Sequence, residues 1–153
     1  MQFSINNSLM HRLHRASQVT SERLSTELGD TRLTSRQLVV LASIAADEGA
    51  SQTAIGAATG IDRSTMSDVI RRLTKHGLVA RKRTREDART YAIKLTEEGS
   101  RVLQAARPVM ERVEADMLAA ISPKERADLI TLLGSLIEQG GQPQPGVPAP
   151  RRS

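Results

Sequence analysis

The chain has 153 residues, a net charge of +5, no cysteine and only two aromatic residues, Phe3 and Tyr91. Without thiols there is no disulfide framework, thiolate metal site or thiol redox switch, and the scarcity of aromatics argues against binders of RNA or single strands, which stack bases on aromatic platforms. No apolar run approaches the roughly 18 residues a membrane span needs, and the N-terminus lacks the charged-then-apolar pattern of a signal peptide, so a single cytoplasmic domain is expected.

Residues 5–28 read as one long helix, with Ile5, Leu9, Leu13, Ala16, Leu24 and Leu28 near one stripe and Gly29-Asp30 as the stop. Thr34-Ser-Arg-Gln37 is a capping box that opens a second helix to about Ala46, with Leu38, Leu41, Ala42 and Ala45 inward. Gly49 follows in a loop. Ser51 caps a short third helix over 52–58, with Ala54, Ile55 and Ala58 inward. Thr59-Gly60-Ile61 is a turn. Asp62 caps a fourth helix that ends at His76, with Gly77 as its C′ residue.

Two strands, 78–83 and 90–95, form a hairpin after it, with Tyr91, Ile93 and Leu95 inward. Thr96 caps a long helix to about Ile121, with Pro108 expected to bend it. Its row Val102, Ala106, Met110, Val113, Met117 and Ile121 keeps helical spacing. Ser122-Pro-Lys-Glu125 opens a last apolar helix over 123–138. From Gly140 four of the six prolines follow, and a disordered tail over 140–153 is expected, with Arg151 and Arg152 adding weak phosphate contacts.

The charge is concentrated. Residues 62–94 hold ten Lys/Arg against four Asp/Glu, while the remainder holds twelve against thirteen, so all of the excess lies in the fourth helix and the hairpin. On a helical projection Met66, Val69, Ile70 and Leu73 form one apolar arc, and Ser64, Asp68, Arg71, Arg72 and Lys75 lie opposite. Short polar residues at the start suit base edges in a major groove, and cations at the end suit phosphate. In the hairpin, Arg81, Lys82, Arg83, Arg85 and Arg89 place five cations within nine residues. That density suits a wing lying on phosphates or entering a narrow minor groove. The fold class is therefore mainly α with a small β-hairpin wing: a winged helix-turn-helix over 31–95, flanked by helical dimerisation segments over 1–30 and 96–139. The two flanking segments carry more apolar helix than one winged domain can cover.

Leu73 to Gly99, LTKHGLVARKRTREDARTYAIKLTEEG, resembles the MarR family of bacterial transcription regulators. The shared pattern runs through Leu73, Gly77, Leu78, Arg81, Asp87, Arg89, Leu95, Thr96 and Gly99, and the likeness covers about residues 5–138. The resemblance implies a homodimer with interleaved terminal helices, a wing-tip Arg89 in the minor groove and Asp87 orienting that arginine. It also implies a small anionic or aromatic effector bound between the dimer helices and the winged domain. His11, His14 and Arg15, loosely similar to the first helix of members acting in aromatic-acid catabolism, could meet an effector carboxylate, or be ordinary exposed or dimer-contact residues. Lack of cysteine excludes the family's cysteine-based peroxide sensors.

The expected activity is that of a dimeric regulator of double-stranded DNA, most simply a repressor relieved by a small molecule such as an aromatic acid or its thioester. Its operator is expected to be pseudo-palindromic, with half-sites about 10 bp apart. Ser64, Asp68 and Arg71 are assigned to base edges, Arg72, Lys75, Arg81, Arg83 and Arg85 to phosphate, and Thr65 to DNA contact in general. The alternative is a non-specific architectural DNA-binding protein, which leaves the partly acidic face of the fourth helix without a purpose. No phosphate-binding glycine loop, metal cluster or activated nucleophile supports an enzyme, and no cofactor or metal is expected. His11 and His14 stand at a metal-pair spacing, but only His76 remains as a third histidine.

Overall fold

The computed structural model describes residue 5 and residues 8–29, 33–83 and 91–141. The elements run α1 (Leu9–Leu28), α2 (Ser35–Ala46), α3 (Gln52–Thr59), α4 (Arg63–Lys75), β1 (Val79–Arg83), β2 (Tyr91–Leu95), α5 (Glu97–Met117) and α6 (Pro123–Gly141). They fall into two compact units, Met1–Glu114 and Ala115–Ser153.

Local hydrogen bonding decides where the helices of the first unit begin. The Ser8 hydroxyl accepts the His11 N–H, so α1 starts at Leu9 and Ile5 lies outside it, later than the apolar spacing predicts. The capping box of α2 is complete. The Thr34 hydroxyl accepts the Gln37 N–H at 3.2 Å, and the Gln37 side chain accepts the Thr34 N–H at 2.9 Å. Ser51 and Asp62 cap α3 and α4 through the N–H groups of Ala54 and Thr65.

The core gathers Leu38, Leu41 and Ile44 of α2, Ile55 of α3, Met66, Ile70 and Leu73 of α4, and Ile93 of β2, all less than 2% exposed. Three expected inward positions differ. Ala45 on α2 and both Ala54 and Ala58 on α3 are exposed, while Val40 and Ile44 are buried. The large branched side chains gain more from leaving water than alanine does, and they set the rotation of each helix.

The hairpin pairs β1 and β2 antiparallel, from Val79↔Leu95 to Arg83↔Tyr91. The far edge of β2 is also engaged. The Ile93 carbonyl accepts the Gly49 N–H, the Ile93 N–H donates to Ala50, and Ser51 bridges to Ala92. This third strand-like segment buries Ala92 and Ile93 together. Tyr91 lies beyond it and is exposed, contrary to the simple alternation, with the Arg83 guanidinium 5.9 Å from its ring centre.

Helix α4 ends in a Schellman motif. The Gly77 N–H donates to Thr74 and the Leu78 N–H to Leu73, with Gly77 at φ 71°. Helix α5 is locked onto this turn. The Thr96 N–H donates to the Leu78 carbonyl at 3.0 Å, the Thr96 hydroxyl donates to the Gly77 carbonyl at 2.6 Å, and the same hydroxyl accepts the Gly99 N–H at 3.0 Å. Gly99 lies flat against Leu78.

Helix α5 runs through Pro108 and stops at Met117, short of the expected Ile121. Two turn bonds, from Ala119 to Asp116 and from Ile121 to Leu118, carry the chain to Ser122. In the second unit, Ser122 and Glu125 form the capping box that opens α6. Hydrogen bonds from Ser122 hold the Glu125 carboxyl below its ordinary range. Helix α6 continues to Gly141, so the tail assigned from Gly140 begins later, and residues 142–153 lie outside the described residues. Ile130 and Ile137 of α6 are 64% and 74% exposed.

A Cβ on Gly99 would lie 1.9 Å from the Leu78 carbonyl oxygen, whereas one on Gly134 of α6 would meet nothing within 4 Å. Gly99→Ala should therefore cost about 1–3 kcal/mol of stability, and Gly134→Ala should add up to about 1 kcal/mol from helix propensity. Urea unfolding of the two variants beside the wild type checks this. Equal midpoints for Gly99→Ala and wild type would contradict the close packing.

Candidate nucleic-acid interface

Helices α3 and α4 are joined by Gly60 at φ 69°, a left-handed turn that a residue without Cβ takes freely. The turn directs α4 so that Met66, Val69, Ile70 and Leu73 enter the core. The opposite face is thereby fixed in water. Ser64, Arg71, Arg72 and Lys75 are exposed there, and Asp68 is half-buried. Thr65 is half-buried as well, and its N–H is tied to the Asp62 cap. Hydrogen bonds from the Thr65 side chain and amide hold the Asp62 carboxyl below the ordinary range, so the cap is ionised at the positive end of α4.

Asp68 is the centre of this face. Its Oδ2 accepts from Arg72 Nε at 2.9 Å, and its Oδ1 accepts from Arg71 Nη2. The Arg71 hydrogen bond, followed by the charge of Arg72, holds the Asp68 carboxyl below its usual range, so it is an anion at neutral pH.

The wing lies beside α4. Arg81, Lys82 and Arg83 are exposed on β1. Gln52, at the first position of α3, links wing and recognition helix. Its amide nitrogen donates to Ser67 Oγ at 2.7 Å, and its oxygen accepts from Arg81 at 3.4 Å. Three elements meet at this one amide, and the sequence reading did not single it out. Its partners stand 15 and 29 residues away, beyond the reach of any helical or strand period. The signal in the sequence is only that Gln52 follows a serine cap at the mouth of the motif. Arg85, Asp87 and Arg89 lie outside the described residues.

The same unit contains a cavity of about 430 Å³ behind the reading face. It is walled by Leu28 of α1, Leu33, Leu78, and Val102 and Val109 of α5, with Glu27 and His76 as polar groups. His76 is the C-cap of α4, and Glu27 also pairs with Arg112 at 3.0 Å. Sequence reasoning noted His76 only as a weak metal ligand. His11, His14 and Arg15 line no part of this cavity, and Arg15 donates to Gln18 on the surface of α1.

Known proteins share this fold. The MarR family model matches residues 33–91, which span the capping box of α2 to the start of β2. The transcriptional regulator HosA of Escherichia coli is 30% identical over 134 residues, covering 88% of this chain and 98% of HosA. The solved structure of BpsR from Bordetella bronchiseptica, described for the regulation of its DNA binding by 6-hydroxynicotinic acid, matches with a TM-score of 0.83 at 26% identity, over 89% of this chain and 97% of BpsR. The transcriptional repressor CouR, solved on a 23-mer DNA duplex, matches with a TM-score of 0.80 at 25% identity, over 90% of this chain and 99% of CouR. No described helix is long and apolar enough to cross a membrane. With its winged helix-turn-helix and these relatives, the chain belongs to the MarR family of transcription regulators.

Proposed function

We propose that this chain is a homodimeric, sequence-specific repressor that works in the cytoplasm and leaves its pseudo-palindromic operator when a small aromatic acid binds. The observation that carries the reading is the division of α4: four apolar residues anchor it, and Ser64, Asp68, Arg71, Arg72 and Lys75 face water beside a basic wing. On this reading 31–95 is the DNA-binding part. Ser64, Thr65, Asp68 and Arg71 meet base edges, and Arg72, Lys75, Arg81, Arg83 and Arg85 meet phosphate. Arg89, oriented by Asp87, enters the minor groove. A duplex of the length bound by CouR holds two half-sites one helical turn apart.

Segments 1–30 and 96–139 supply the dimer. Leu9 and Met10 of α1, and Ile130, Leu132 and Ile137 of α6, are each more than half exposed in the single chain. A second copy that covered them would take this apolar surface out of water. The cavity behind α4 supports the effector. Its volume falls in the range of small-molecule sites, its walls are apolar, and His76 at its edge is the C-cap of α4. BpsR, regulated by an aromatic acid, supports the ligand class. His11, His14 and Arg15 stay in the proposal as candidates for an effector carboxylate, at a place other than this cavity, which they do not line in the single chain.

Fluorescence anisotropy with DNA from upstream of the protein's own gene, against a random duplex at two salt concentrations, tests the central reading. Preference for the upstream DNA by about a thousandfold or more is expected, and 6-hydroxynicotinic acid and related aromatic acids should then be screened for release. Equal, steeply salt-dependent binding to both duplexes would instead make this an architectural binder. Arg71→Ala should lower the preference by roughly tenfold or more, whereas Lys75→Ala should weaken both duplexes alike and reduce the salt slope by about 1.

Gln52→Ala removes the amide that joins Ser67 to Arg81. Operator affinity should fall severalfold while the unfolding midpoint stays near wild type. Sedimentation checks the dimer: Ile130→Glu combined with Ile137→Glu should yield monomers that no longer hold a two-half-site duplex.

A further inference from the structure

Two of the cations assigned to DNA are already engaged within the protein. Arg71 and Arg72 stand three and four residues after Asp68, so one turn of helix brings both guanidinium groups over one carboxylate. An acid placed N-terminal to its basic partners is the favourable order on a helix. All three side chains remain open to solvent: 68% for Arg71, 62% for Arg72 and 43% for Asp68. The cluster is therefore accessible to a duplex, and its bonds are weak enough to exchange.

A DNA duplex approaching this face must take the arginines away from Asp68. Phosphate can do so, because it offers each guanidinium an equivalent acceptor. Phosphate gives Asp68 nothing in return. The carboxylate is left beside a polyanion with its own partners removed, a like-charge arrangement that disfavours the complex. Base edges offer a different exchange. In a G·C pair the guanine O6 and N7 accept from an arginine, and the cytosine amino group donates to a carboxylate. At such a step Arg71 and Asp68 both leave their mutual bond and both find a partner.

We infer that Asp68 is a specificity-determining residue that acts as an internal competitor of DNA for Arg71 and Arg72, lowering binding to random duplex more than binding to an operator with a G·C pair under this turn of α4. The inference rests on the reading of α4 as the recognition helix. The residue contributes discrimination rather than affinity. It also goes further than assigning Asp68 to a base edge, because a residue that only read a base would leave random binding unchanged when removed.

The test is Asp68→Asn, which keeps the shape and removes the charge. It is read by anisotropy on the operator and on random duplex of equal length, with the unfolding midpoint as a check on the fold. Two exposed ion pairs are released, so random-duplex affinity should rise by roughly three- to tenfold. Operator affinity should stay level or fall, and the ratio between them should shrink. In an Arg71→Ala, Arg72→Ala background the same Asp68→Asn change should raise random binding by a much smaller factor. Unchanged random binding in the single variant would overturn the inference, leaving Asp68 a base reader or a brace of the helix. A rise that persists undiminished without the two arginines would overturn it too, since the charge would then act on DNA directly. A wild-type protein that bound both duplexes equally would remove the recognition-helix reading itself, and the filter with it.

Discussion

Thr96 joins three elements by two of its own atoms. Its N–H and hydroxyl donate to the carbonyls of Leu78 and Gly77, at the end of α4 and the base of the wing, while the hydroxyl also caps the first turn of α5. The carbonyls left open where a helix ends need donors, and here the next helix supplies them. Gly99 completes the junction by bringing α5 against the Leu78 backbone with no side chain between. The direction of α4, the root of the hairpin and the start of α5 are thus set at one place. The shared pattern of Gly77, Leu78, Thr96 and Gly99 has this physical content: a left-handed C-cap, a buried anchor, a bridging hydroxyl and a position where Cβ has no room.

Much of this was legible because the signals are local. Each of Thr34, Ser51, Asp62 and Ser122 caps the helix that its neighbours announce, and Met66, Val69, Ile70 and Leu73 bury as their spacing requires. The misses arise where a distant contact decides. Nothing near Tyr91 tells that residues 49–51 will pair with the far edge of β2, turning Ala92 inward and leaving Tyr91 in water. Small residues misled in the same way, since Ala45 and Ala58 fit either a buried or an exposed face, and only the bulk of Ile44 and Ile55 settles the matter. The ends of α1 and α5 depended on competing caps, Ser8 in one case. In the other, the serine before Pro123 is disfavoured from helical geometry and begins a new helix.

The candidate interface was legible as a list of residues and not as an arrangement. Charge counting locates the cations on α4 and β1, but it treats each as independent. Asp68 shows otherwise, since it engages two of those cations before any DNA is present. Gln52 ties a third, Arg81, to Ser67 on the recognition helix. The formal charge of the surface therefore overstates the number of cations without a protein partner, and on the proposed reading the pairing pattern would add selectivity that net charge cannot express.

On the proposed reading, the cavity touches the C-cap of the helix that bears the reading face, and the caps of that helix would determine how the two could communicate. Asp62 secures its first turn and the Schellman motif its last, while four side chains fasten its length to the core. A helix held in this way is poorly suited to fraying and moves most readily as a body. A ligand lodged against His76 and Leu78 would act at one end, through residues that belong to the Thr96 junction, and the displacement would be carried along the rod to Ser64 and Asp68. Such a ligand changes DNA affinity only if it binds one position of α4 better than another. The apolar walls would give it affinity, and the direction of its effect would then follow from which position of His76 and Leu78 leaves the cavity the larger.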